Sequence, residues 1–201
     1  MENNFKFIKK EFALSLFVNK DTTQNLFCVL KEDANININV DIQKDVKFSL
    51  NVVIYSYQNA IVNINVKTNS FFDKSENIVN INAIANDNSS MNIKLDSMIP
   101  ENINFAKISQ NIKGILLSEN SRILGIPQLT VNSDQVIANH ALNIGGMNEE
   151  ELFYLMSKGF NEQTCKKIIL NGFIKLSLNS LSENKQNKYL KKLNKLIKKD
   201  Q

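Results

Sequence analysis

From Ala34 to Val131, apolar and polar residues alternate with a period of two. Ile36, Ile38, Val40 and Ile42 interleave with Asn35, Asn37, Asn39 and Asp41, and the pattern returns at Ile64–Val66, Ile78–Ile84 and Met91–Leu95. Alternation of this kind sends one set of side chains into a core and the other toward solvent, which is the mark of a strand. Similar words recur along the chain: NININV, VNINV, VNINA and MNIKL. Turn-forming clusters separate them at Lys31–Asp33, Tyr57–Asn59, Asn69–Glu76 and Asn86–Ser90. No helical pattern intervenes, which argues against βαβ units. A sandwich, a barrel and a solenoid remain open. Like strands repeated at short spacing favour a β-solenoid with isoleucine stacked on isoleucine inside. The asparagines are read as its solvent face rather than as a ladder. Val46 to Tyr57 is more apolar and breaks the alternation. It predicts a strand buried on both faces, or one covered by the N-terminal segment. Pro100 and Pro127 are read as strand boundaries.

After Gly145–Gly146 the period changes. Asn148 precedes Glu149, Glu150 and Glu151, a helix cap with acids in the first turn. Leu152, Phe153, Leu155 and Met156 form the expected apolar stripe, and Gly159 is the expected terminator. A second helix is predicted with Asn161 as cap, Cys165, Ile168 and Ile169 inside, and Gly172 at its end. Phe173 to Leu181 reads as a short third helix. Ser182 then caps a last one striped by Leu190, Leu193 and Ile197. The expected organisation is a mainly β domain over 1–146 and a small α-helical domain over 147–201.

Composition adds limits. Hydrophobic residues make up 43% and charged residues 22% of the 201 residues, so a folded core is expected rather than disorder. No apolar run approaches the roughly 20 residues that span a bilayer. The start of the chain lacks a signal-peptide pattern, which predicts a cytoplasmic protein that does not enter membranes. Of the total charge of +4, the stretch from Glu183 to Asp200 carries +5, leaving −1 for everything before it. That lysine-rich helix is read as a solvated face, and nucleic-acid binding is the lesser alternative. The two cysteines, Cys28 and Cys165, sit among apolar residues and are read as small buried hydrophobes. With them and one histidine, the chain cannot assemble the usual four-ligand zinc site alone. No phosphate-binding loop or nucleophile elbow is present, so no enzyme activity is expected.

The order of elements from Ile108 to Phe173 carries a family likeness. Leu116–Glu119 supplies LLSE. Pro127–Val131 follows, then Asp134, His140–Ala141 and Gly145, and then Leu152–Phe153–Tyr154–Leu155 with Ser157–Lys158–Gly159 and Gly172–Phe173. In this order the chain resembles the SufB/SufD family of iron–sulfur cluster assembly scaffolds. Members of the SufB type carry a cysteine before the proline and a glutamate after the histidine. Ser118 to Gly125 has no cysteine and Ala141 follows His140, so the likeness is to the SufD type. Larger members carry an N-terminal helical region, and against them this sequence reads as truncated.

The resemblance implies a right-handed parallel β-helix followed by a helical domain. It also implies two partners, a SufB-like subunit paired edge to edge and a SufC-like ABC-type ATPase docked on the helices. His140 would then stand at the cluster-assembly interface as a metal ligand, with Tyr154, Lys158 and Phe160 as ATPase-docking candidates. No cofactor is expected on this chain alone, and a transient iron–sulfur cluster would be shared with the SufB-type partner. The alternative is a self-associating module, a homodimer that docks the ATPase without a cluster role.

Overall fold

The computed structural model describes residues 2–178 and 181–197. Within them the order is β1 (Glu2–Ile8), β2 (Phe12–Val18), β3 (Thr22–Leu30), β4 (Ala34–Ile42), β5 (Lys47–Ser56) and β6 (Ile61–Ser70). Then come β7 (Glu76–Ala85), β8 (Ser90–Ile99), β9 (Lys107–Leu116), β10 (Arg122–Val131) and β11 (Ile137–Gly146). Three helices follow: α1 (Glu149–Ser157), α2 (Glu162–Ser177) and α3 (Glu183–Ile197). No described helix is long and apolar enough to cross a membrane. The chain divides into two compact units, Met1–Gly145 and Gly146–Gln201.

The first unit is a parallel β-solenoid. Odd-numbered strands stack in one sheet in the order β1-β3-β5-β7-β9-β11, and even-numbered strands in a second, β10-β8-β6-β4-β2. Successive coils repeat the inward positions in register. Ile36, Ile64 and Ile93 stand opposite one another in the second sheet, as Leu26, Val52, Ile81 and Ile112 do in the first. All seven are buried. Burying each such side chain stabilises by roughly 1.5–3 kcal/mol, so the stacked rows are the main source of cohesion. Sharp corners are made without glycine: Asp45, Gln58, Lys74 and Asp87 take φ of 56°, 60°, 55° and 55°.

The asparagines do more than face water. On the first sheet Asn51 donates to Asn25, Asn80 to Asn51 and Asn111 to Asn80, at 3.2, 3.0 and 3.0 Å. On the second, Asn63 donates to Asn35 and Asn92 to Asn63, at 3.1 and 3.0 Å. These are true ladders, which corrects the plain solvent-face reading. The in-register stacking of parallel coils places like amides at hydrogen-bonding distance.

The segment Val46–Tyr57 is buried on both faces from Val52 to Tyr57, where Val53 and Tyr55 are as buried as Val52 and Ile54, while the outward Lys47, Ser49 and Asn51 before it are partly exposed. The N-terminal segment does not cover it. That segment contributes β1 and β2 as strands within the two sheets. Pro127 also departs from expectation. It lies inside β10, opposite Leu95, and is tolerated because β10 is the edge of its sheet.

In the second unit Asn148 caps α1, its Oδ1 accepting from the backbone N–H of Glu150 and Glu151. Gly159 follows with φ of 92°. Asn161 caps α2 through the N–H of Thr164. Gly172 does not end α2, which runs on to Ser177, so residues 173–177 belong to the second helix and not to a third. The apolar row Cys165, Leu170, Ile174 and Leu178 is buried along one continuous helix. That packing outweighs the ~1 kcal/mol an internal glycine costs. Phe153, Met156 and Ile168, assigned to the packed stripes, are exposed instead. Leu190 is buried as expected, while the side chains of Leu193 and Ile197 lie outside the described residues.

Candidate functional site

The last coil, β10 and β11, differs from those before it in what it shows to solvent. In β10 the outward positions Leu124 and Ile126 stand opposite Asn92 and Lys94 of β8. Apolar side chains replace the polar face of the preceding coil, and Leu124 is 55% exposed. In β11, Ile137 and Leu142 are exposed as well. Both strands are the terminal members of their sheets. Each therefore presents a side with no further described strand, a template for pairing with another chain.

His140 lies on β11. Its place in the coil follows from backbone bonds. Lys107 N–H donates to Ser75 O, and Lys107 stands opposite Glu76. Ile137 N–H donates to Ala106 O in the same way, which sets Ile137 opposite Lys107 and His140 opposite Gln110. The 2.8 Å bond from Ser109 Oγ to Asn139 Oδ1 agrees with that register. Gln110 is an inward, fully buried position. His140 therefore belongs to the inward row. It is exposed because it stands on the terminal strand of its sheet.

Two glycines shape the same rim. A Cβ at Gly125 would lie 2.5 Å from Leu142 Cδ1, and one at Gly114 would lie 3.1 Å from Ile144 Cγ1. A larger residue at either position would push against these two side chains of β11.

The docking candidates lie in the second unit. Tyr154 is 60% exposed, and Lys158 and Phe160 are also exposed. Lys158 Nζ sits 5.2 Å from the centroid of the Tyr154 ring, a cation–π contact that joins two of the three. Phe153, at 75% exposed, Met156 and Ile168 add apolar surface that helical periodicity had assigned to packing. The signal that could have found them is the shortness of α1: nine residues with no buried position leave most of its apolar side chains outside.

Neither cysteine is placed for metal chemistry. Cys28 is buried in the solenoid core, where desolvation pushes its thiol up to about 12. Cys165 is buried in α2. Among the described residues, no three His, Cys, Asp or Glu side chains group together. His140 offers one imidazole, and it belongs to no such group.

The family model for the SufBD core domain of the SUF iron–sulfur cluster assembly system matches residues 20–173, spanning most of the solenoid, α1 and most of α2. The chain belongs to the SufB/SufD family. Among its relatives is an iron-sulfur cluster assembly SufBD family protein of Archaeoglobus fulgidus. It is 37% identical over 71 residues, covering 35% of this chain and 19% of that one. The iron-sulfur cluster assembly protein SufD of Plasmodium falciparum is 34% identical over 90 residues, 44% of this chain and 6% of that one. SufD of Bacillus subtilis is 32% identical over 76 residues, 38% of this chain and 17% of that one. The matched stretches thus span less than a fifth of each of these relatives.

Proposed function

We propose that this chain is a SufD-type scaffold subunit of iron–sulfur cluster assembly, without catalysis of its own. The last coil pairs with a SufB-type subunit. The helical unit docks a SufC-like ABC-type ATPase through Tyr154, Lys158 and Phe160. His140 lends one ligand to a cluster that is cargo, shared across the pairing edge and completed by the partner.

The observation that carries this reading is the chemistry of the last coil. An inward-row histidine stands at an open rim, beside Leu142 and below an outer face where Leu124 and Ile126 replace polar residues. Apolar residues at an unpaired sheet edge favour burial against another chain, and imidazole is a fitting iron ligand. An edge of this kind also suits a second copy of the same chain, the homodimer reading.

Co-purification of the tagged chain from its native cell tests the proposal. A SufB-type subunit and an ABC-type ATPase are expected in the eluate, and a chain recovered only with itself overturns the pairing. His140→Ala is expected to leave that recovery intact while cluster assembly falls at least about tenfold. Undiminished assembly would remove His140 from the site.

A further inference from the structure

The solenoid interior is not wholly apolar. Where β6 turns into β7, the inward positions Thr68, Ser70, Ser75 and Asn77 are all polar and fully buried. From there a chain of hydrogen bonds runs along the coils. Asn77 Nδ2 donates to Thr68 Oγ1 at 2.6 Å, Thr68 and Ser97 share a hydroxyl bond of 2.7 Å, and Gln110 Nε2 donates to Ser97 Oγ at 2.7 Å. Gln110 Nε2 also donates to the backbone oxygen of Gln128 at 3.1 Å. A carbonyl oxygen can only accept, so this second bond fixes which end of the Gln110 amide is nitrogen. The amide is thereby held in one orientation by two strands. Its Oε1 is buried and has no partner.

The next strand in the sheet places His140 in the same row as Gln110, as the Ile137 and Ser109 bonds establish. Parallel neighbours of this kind are about 4.8 Å apart along the hydrogen-bonding direction. That is within reach of an amide oxygen and an imidazole ring. A buried acceptor without a donor is costly to leave, and a neutral imidazole carries one N–H to give.

We propose that Gln110 is the positioning residue of His140. When the exposed ring turns inward, Gln110 Oε1 accepts its N–H, which fixes the tautomer and leaves the other nitrogen bare for a ligand. Metal-binding histidines are oriented by an acceptor on the second nitrogen in just this sense. Here the acceptor is held by the Ser97–Thr68–Asn77 chain behind it. The consequence for cluster assembly rests on the reading of His140 as a ligand; the bond itself does not.

The chain has a single histidine, so imidazole nitrogen spectra of the full-length, histidine-labelled protein need no assignment. They are read at a pH about two units above the ordinary histidine value of ~6.5. One tautomer is expected in at least about tenfold excess, and Gln110→Met is expected to return the ring toward the mixture of free imidazole. A mixture already present in the unmodified chain, or one unchanged by Gln110→Met, overturns the proposal. Should Gln110→Met fail to fold, His140→Ala at its exposed position reads the same bond from the other side. The Gln110 side-chain amide resonances then shift if the bond exists and stay if it does not. A locked ring in a protein whose His140→Ala variant still assembles clusters fully would support the bond and sink the ligand reading alone.

Discussion

The middle coils and the last coil of the solenoid are built from the same repeat yet expose opposite chemistry. In β4, β6 and β8 the inward isoleucines are covered on both sides by neighbouring coils, and the outward positions carry asparagine ladders. In β10 and β11 the inward row is open and holds Leu142, 47% exposed, together with His140. The outward row turns apolar at Leu124 and Ile126. A repeat is stable because each coil covers the next. The last coil lacks that cover within the described residues, and its composition is suited to receiving it from another chain. The same residue type thus stands in two settings, fixed by its place in the stack: covered by neighbouring coils in the middle and exposed at the end.

The largest effect is expected from breaking the middle. Ile64→Ala should cost about 2–5 kcal/mol in chemical denaturation, because Ile64 is fully buried between Ile36 and Ile93. Leu142→Ala should cost the isolated chain less than about 1 kcal/mol and instead weaken capture of a pairing partner. Equal costs at the two sites would erase the distinction between the coils.

Alkaline pH probes the core next. The Cys28 thiol is held neutral up to about 12, against an ordinary value of 9.0, by burial. Its folded value is raised, so its stability contribution is complete below the unfolded value and declines above it. In that window the unfolded chain loses a proton that the folded chain keeps. Stability should therefore fall by up to about 1.4 kcal/mol per pH unit above pH 9. Cys28→Val should flatten this slope in denaturation series taken at stepped pH. An identical slope in the variant would show that Cys28 is not the cause.

The smallest effect is expected from the ladders. Asn63 donates to Asn35 and accepts from Asn92 on an exposed face. Asn63→Ala should cost no more than about 1 kcal/mol, since solvent competes for both bonds. A loss comparable to that of Ile64→Ala would mean that the ladders, and not the isoleucine stacks, hold the coils together.

Much of the solenoid was legible in the chain. The inward row of β4 and the break at Val53–Ile54–Tyr55 follow from alternation alone, because side-chain direction in a strand has a fixed period. The polar interior was not legible. Thr68, Ser97 and Gln110 sit at inward positions, but a rule that sends polar residues outward cannot find them. They are tolerated because each bonds to the next across coils. Gly172 signals a stop in the sequence, yet α2 runs through it as one helix. Burial of Ile174 and Leu178 beyond Gly172 decided this.

By itself, then, the sequence determined the strand-rich body, the helical end and the family, since those depend on local period and on the order of motifs along the chain. Tertiary structure alone decided that the asparagines form ladders, that Pro127 lies on an edge strand and that His140 belongs to the inward row beside Gln110. Each of these depends on register between residues about 30 positions apart, and register is fixed only when coils stack and bury their shared core.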